Sequence, residues 1–265
     1  MNKLLSVDLY RLRKDKTPLL GVIIGAGLFL MTTGLYVILY FLSKDADSTP
    51  FTTMLNSRVS FISSFQMGNN VGLVVVIILA VFTSRDFTQN TLRLKVINNL
   101  DRRKIYISTL LTNLIYGLVV IVTFALLTLV VMTLLFGYGS AFDVNEFFHL
   151  LGTTSIALLF VILYISIITA VSMKFQTIGA SIGLSIAVII GESIIVTILR
   201  SMPAAMPNFP EWLYKGFNVF PSSGMSSLLT TFDGVDAMIM VIASIVLIVG
   251  INILGLQSFK KSDIK

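Results

Sequence analysis

Six stretches of this chain are long and apolar enough to cross a lipid bilayer, and nothing else in the sequence constrains the fold as strongly. A helix rising about 1.5 Å per residue needs roughly 20 apolar residues to span the hydrocarbon core. The first run is Thr17–Ser43. The second ends at Ser84 and is densest over Val71–Phe82. The third lies within Ile105–Phe142, the fourth is Phe147–Met173, the fifth Phe175–Leu199 and the sixth Ala237–Phe259. Only the fifth is broken by a charge, Glu192. The first run is too long for a signal-peptide core and has no small-residue cleavage site after it, so it reads as a true span. Composition agrees: 55% of the residues are hydrophobic and 12% charged, where a soluble domain carries about 25% charged. So little charge cannot cover a water-exposed surface, which excludes a soluble enzyme, and so much apolar residue excludes disorder. With no cysteine and one histidine, thiolate chemistry and a histidine-based metal site are not expected. The fold class that follows is an all-α membrane protein of six transmembrane helices, multi-pass, with one membrane domain over residues 1–265.

Lysine and arginine then orient the bundle, because cytoplasmic loops are enriched in them. Alternate connections, counted with both chain ends, hold 15 of the 19 basic residues: the N-terminal segment, the second-to-third loop, Lys174 and the C-terminal segment. The opposite side holds Lys44, Arg58, Arg200 and Lys215, together with seven acids. Both termini are therefore expected in the cytoplasm. The net charge of +6 belongs to the inner leaflet surface, and no nucleic-acid partner is expected.

Three segments outside the spans carry a pattern. In residues 1–17, Leu5, Leu9 and Leu12 form a stripe among Arg11, Arg13, Lys14 and Lys16, the mark of an interfacial helix. Pro18 is expected to turn the chain into the bilayer. In residues 85–104, Leu92, Val96 and Leu100 repeat at helical spacing beside Arg93 and Lys95, ahead of the basic run Arg102, Arg103 and Lys104, which predicts a short amphipathic helix. In residues 200–236, Pro203, Pro207, Pro210 and Pro221 forbid one continuous helix. Yet Trp212, Phe217, Phe220 and their neighbours make 211–232 apolar, so short re-entrant or interfacial helices are predicted.

Together these segments resemble the permease subunits of ABC type-2 transporters, the type V exporter fold. The likeness rests on three places, spread over nearly the whole chain. Leu4, Leu5, Leu9 and Leu12 with Arg11, Arg13 and Lys14 precede the first span, as in such permeases. Asp86, Asn90, Thr91 and Arg93, followed by Arg102 to Tyr106, match a loop in which that family has an acid, then Gly-Thr, then a basic residue and Tyr; Asn90 stands where the family has Gly. Phe217, Asn218, Val219, Phe220 and Pro221 match its outer helices before the last span. The resemblance implies a non-enzymatic export permease in a bacterial cytoplasmic membrane. It implies pairing with a second copy or a homologous permease, and drive by cytoplasmic ABC ATPase subunits that carry the ATP and Mg. This chain has no phosphate-cradling G-x-x-x-x-G-K-[ST] motif. The resemblance further implies that Asp86, Thr91, Leu92, Arg93, Val96 and Leu100 form the coupling loop docking on the ATPase. Small permeases of this kind serve export of, or immunity to, antimicrobial and amphipathic peptides such as lantibiotics.

Individual residues have two readings each. Glu192, about 22 Å up its helix from Thr177, is either a lining of the translocation pathway, with Ser181 and Ser185 on its face, or a structural acid paired with Arg200. Trp212, Phe217 and Phe220 are outer-gate candidates, and Trp212 is most simply an interface anchor. Gly179, Gly183, Ala187 and Gly191 recur at every fourth position, a surface for close helix packing within the subunit or for a dimer seam. Asn69, Asn70, Asn113 and Asn252 read as interhelical hydrogen-bond glue, and His149 as a headgroup-level polar residue. A competing function is an ATP-independent secondary transporter or channel with Glu192 as its proton- or cation-coupling group. An intramembrane protease is disfavoured, since the sole histidine, His149, lies at the edge of a span, no G-x-S-G is present and Glu192 is the one carboxylate within the spans.

Overall fold

The computed structural model describes residues 2–43, 56–138, 143–205, 210, 216–230 and 234–262. These form ten α-helices and a 3-10 turn, with no strand among them. The membrane-length helices are α2 (Lys16–Ser43), α4 (Asn70–Thr88), α6 (Arg102–Phe136), α7 (Val144–Phe175), α8 (Ile178–Ala205) and α10 (Gly234–Lys261). The chain is thus an all-α, multi-pass membrane protein. The shorter helices are α1 (Asn2–Lys14), α3 (Ser57–Ser63), α5 (Thr91–Ile97) and α9 (Pro221–Thr230).

The six long helices have unequal roles. Within their most apolar windows, α7 is 67% buried and α4 61%, whereas α2 is 6% and α10 11% buried. Helix α7 packs against α10, α6, α8 and α4, and α4 against α2 and α8. The core lies where these two meet α6, through Val76, Leu79, Ile121, Phe160, Val161 and Ile165. Leu30, Met31 and Leu35 on α2 and Val246 and Leu254 on α10 stay exposed, as a lipid-facing surface should.

Helices α1, α5, the start of α6 and the end of α10 share one end of the bundle. The Arg102 guanidinium donates to the carbonyls of Phe259 at 3.2 Å, Lys260 at 2.8 Å and Ser262 at 2.8 Å. A cation thereby satisfies the orphan carbonyls that a helix leaves at its C-terminus. At the opposite end α3, the Phe217–Val219 turn and α9 fold back onto the bundle, α3 on α6 and α9 on α3 and α8. The predicted re-entrant helices before the sixth span are these last two. Helix α3 was not foreseen, although Asn56 caps it by accepting from Arg58 N at 2.9 Å and Phe61, Ile62, Phe65 and Met67 are buried. A Cβ at Gly72 would meet Gln66 O at 2.5 Å and Met67 Cα at 2.6 Å, so only glycine lets this turn fold onto the start of α4.

Three expectations change. The break between α1 and α2 falls at Asp15, and Pro18 lies inside α2. Asp15 Oδ1 accepts from Thr17 N at 2.8 Å and Thr17 Oγ1 at 2.9 Å, an N-cap, and a proline in the first turn removes only a donor that has no intrahelical partner. The second span runs past Ser84 to Thr88, because Arg85 and Asp86 are paired inside the protein. The small-residue stripe on α8 packs against nothing among the described residues. A Cβ at Gly179, Gly183 or Gly191 meets nothing within 4 Å among the described residues. Gly21, by contrast, would meet Ile78 and the Tyr116 hydroxyl at 2.6 Å.

Candidate functional site

The residues expected to form a coupling loop are held by a knot of charge at the termini end. Asn90 adopts a left-handed conformation with φ of 57°, and asparagine is the residue after glycine that tolerates it best. This gives a physical account of Asn90 standing where the resembling family has Gly. Thr91 Oγ1 donates to Asp86 O at 3.0 Å. Asp86, 3% exposed, forms an ion pair with Arg11 of α1. Arg11 also donates to Phe82 O at 3.2 Å and lies 4.4 Å over the Phe82 ring. Lys95 Nζ is 2.7 Å from Asp8 Oδ1, whose Oδ2 accepts from Ser108 Oγ at 2.6 Å. Arg85 pairs with Asp15 at 3.3 Å and donates to Thr17 Oγ1.

The knot sets which face of α5 is available. Leu92 is fully buried with Ile105, Tyr106, Met173 and Phe259, and Val96 packs against that cluster. Leu92 and Val96 of the predicted stripe therefore seat the loop on its own bundle, with Asp86 and Leu92 facing inward, whereas Leu100 stays exposed. Arg93, Leu94, Ile97 and Leu100 form the outward surface. The sequence reading missed Asp8, Arg11 and Lys95 as partners. Its signal was Asp8 itself, an acid on the same helix face as Leu5 and Leu12 in an otherwise basic helix.

Outside the spans, Asp15 is the acid whose ionisation the knot perturbs. Burial alone would raise its pKa. The Thr17 hydrogen bonds and the Arg85 and Arg11 charges outweigh that and hold it below the ordinary 3.8.

Glu192 is engaged at the other end. Its Oε2 accepts from the Tyr164 hydroxyl at 2.9 Å and its Oε1 from Ser222 N at 3.1 Å. Ser222 lies in the first turn of α9, where unpaired N–H groups and the helix dipole favour a carboxylate. Arg200 is not its partner. That guanidinium donates to Ser223 Oγ at 2.9 Å, Asn218 Oδ1 at 3.1 Å, and Ser223 O and Ser227 Oγ, each at 2.7 Å. The acid and the base of α8 thus grip the same helix separately. Ser181 and Ser185 are buried and their hydroxyls have no partner among the described residues. Phe217 is half-buried, Phe220 is 40% exposed and Trp212 lies outside the described residues.

Two further polar groups complete the picture. Asn113 donates to Thr83 and Thr169, each at 2.9 Å, and Asn252 to Ser166 at 3.1 Å while accepting from Tyr106, as interhelical glue should. His149 Nδ1 lies 3.0 Å from Arg58, which is 3.4 Å from Glu146, and Tyr138 donates to Glu146 at 3.2 Å. Burial first, then the Glu146 charge and hydrogen bond, push the Tyr138 hydroxyl up to about 12. Among the described residues no cluster of three acids or histidines could hold a metal.

Residues 19–265 match the family described as "Protein of unknown function (DUF2705)", a match that takes in all six membrane-length helices. No curated protein matches the chain.

Proposed function

The chain belongs to the DUF2705 family, which brings no activity with it, and from the resemblance of its segments to ABC type-2 permeases we propose a membrane permease subunit of an ATP-driven ABC exporter. It acts in a bacterial cytoplasmic membrane with both termini inside, pairs with a second copy or a homologous permease, and moves an amphipathic or hydrophobic substrate of the antimicrobial-peptide kind. ATP and Mg are handled by separate ATPase subunits, and the chain itself catalyses no reaction.

One observation carries this reading. A short helix at the termini end is latched to α1 by Asp8–Lys95 and to α4 by Thr91 Oγ1 donating to Asp86 O, and offers Arg93, Leu94 and Ile97 outward. Exposed apolar side chains beside a cation, on an element tied to three helices, suit a rigid lever that receives force from a docked subunit. The unpartnered small-residue face of α8 suits a second permease. Glu192 counts against the secondary-transporter alternative, because both its oxygens already accept hydrogen bonds, one from Tyr164 of α7 and one from Ser222 N of α9.

The test is coexpression with an ABC ATPase encoded beside this chain, then copurification and substrate-stimulated ATP hydrolysis. Arg93→Glu with Leu94→Asp is expected to abolish copurification while the protein still melts cooperatively. Transport by the chain alone, driven by a proton gradient and lost in Glu192→Gln, would overturn the proposal.

A further inference from the structure

A cleft of about 440 Å³ lies between α2 and the rest of the bundle, toward the end that bears α3 and α9. Its geometry follows from where α2 touches its neighbours. Near its start, Gly21 and Gly25 let α2 approach Ile78, Tyr116 and Phe124 closely. Near its end, the Tyr40 ring meets the Phe136 ring at 5.1 Å between centroids. Between these contacts the two helices part. Phe29, Thr33 and Tyr36 form one wall, and Phe124, Thr128 and Met132 of α6 the other. The floor is the turn into α4, with Gln66, Asn69 and Asn70.

The chemistry of this lining is specific. Among the described residues, no Asp, Glu, Lys, Arg or His lines it. Three of the seven lining hydroxyls donate within the fold: Thr32 Oγ1 to Leu28 O at 2.9 Å, Ser64 Oγ to Ser60 O at 2.8 Å and Thr128 Oγ1 to Phe124 O at 2.9 Å. Asn69 Nδ2 donates to Ser63 O at 2.8 Å. The side-chain carboxamides of Gln66 and Asn70 make no hydrogen bond among the described residues, and each can both donate and accept. An aromatic and aliphatic slot with two carboxamide residues at one end is a ligand site of ordinary size. A charged headgroup would find no counter-ion there. The outer face of α2, with Leu30, Met31 and Leu35, is exposed to lipid, so a ligand can enter sideways from the bilayer.

We propose that this cleft binds an uncharged amphiphile, with one hydrocarbon chain between α2 and α6 and a hydroxyl, ester or amide head on Gln66 and Asn70. The site does not rest on partnership with an ATPase, and its failure would leave the permease reading standing.

The experiment uses the full chain in phosphatidylcholine nanodiscs and a monoacylglycerol carrying a mid-chain diazirine, with labelled peptides read by mass. Label is expected on 29–36 and 124–132. Monooleoylglycerol should compete at least fivefold better than oleate, oleyltrimethylammonium or an uncharged leucine–alanine peptide. Gln66→Leu or Asn70→Leu should each weaken that competition about fivefold, the worth of one neutral hydrogen bond. Thr33→Trp, which fills the slot from the α2 side, should remove the label and so tests the site independently of the floor. Label spread evenly onto Val246 and Leu254 of α10, equal competition by the charged analogues, or displacement by the peptide alone would overturn the proposal.

Discussion

Asp8→Ala tests whether α1 is part of the fold or merely lies on it. Asp8 is 5% exposed, and its carboxylate holds Lys95 of α5 at 2.7 Å and Ser108 of α6 at 2.6 Å. The side chains of the ion pair are only 6% and 13% exposed, so the range for exposed pairs, about 0–1 kcal/mol, does not apply. Truncating one member of a buried pair costs about 3–5 kcal/mol, because the other charge stays buried without its partner. The stranded Ser108 hydroxyl lies within that figure, at about 1–3 kcal/mol. Lys95→Met in the same chain removes the stranded cation and keeps an unbranched apolar stem, so the double variant should recover at least half of the loss. The assay is a double-mutant cycle on unfolding midpoints in detergent, combined with hydrogen exchange of the α1 amides. Residues 2–14 should lose protection in Asp8→Ala while α7 keeps its own. A loss under about 1 kcal/mol, or a double variant as unstable as the single one, would refute the latch.

Three other outcomes follow from the same coordinates. Gly224→Ala should destabilise by about 1–3 kcal/mol, since its Cβ would meet the Phe160 ring at 2.4 Å and Asn218 O at 2.8 Å; Gly183→Ala, in open space within the chain, should leave the monomer within about 0.5 kcal/mol, and thermal melts compare the two. Glu192→Ala should cost about 0.5–2 kcal/mol, as loss of a helix cap does, and raise exchange over 221–230; Glu192→Gln, which keeps an acceptor for Ser222 N, should restore most of that protection. Asp15 has its pKa lowered in the fold, so its contribution is present above its ordinary 3.8 and fades as pH falls through the lower folded value; melts taken from pH 5 to pH 2 should show that loss, and Asp15→Asn should lose the dependence.

The spans were legible because the membrane demands them. Twenty apolar residues in a row admit few folds, and the helices begin and end close to where charge returns to the sequence. The first break was misplaced because Pro18 is conspicuous and Asp15 is not, yet a cap acts through one side-chain oxygen while a first-turn proline perturbs little. Helix α3 was hidden by its length. Seven residues with four serines or arginines carry no periodic signal, and its burial comes from α6 and α9, which are distant in sequence. Glu192 was legible as costly but not its partner. Arg200 shares its helix and charge complementarity suggested a pair, whereas a helix N-terminus assembled from residue 221 onward is created only by the fold. The stripe on α8 shows the limit from the other side, since small residues state that something approaches without stating whether it belongs to this chain.

The positive charge expected to orient the chain also builds it. Arg11, Arg85 and Lys95 were counted as residues that favour the cytoplasmic side, and each is paired with an acid of the same end, Asp86, Asp15 and Asp8. Arg102 is bonded to the last carbonyls of α10. Such residues gain little from a lipid surface, because their charge is already compensated over a few ångströms. Arg13, Lys14, Lys16, Arg93, Arg103, Lys104, Lys174, Lys260 and Lys261 remain exposed, and those can act on headgroups or on a docked partner. Replacing the paired set should therefore loosen α1 and α5 without inverting the bundle, and replacing the exposed set should alter insertion or docking without unlatching them. One count of basic residues thus divides into two physical roles, and only the contacts made by each side chain separate them.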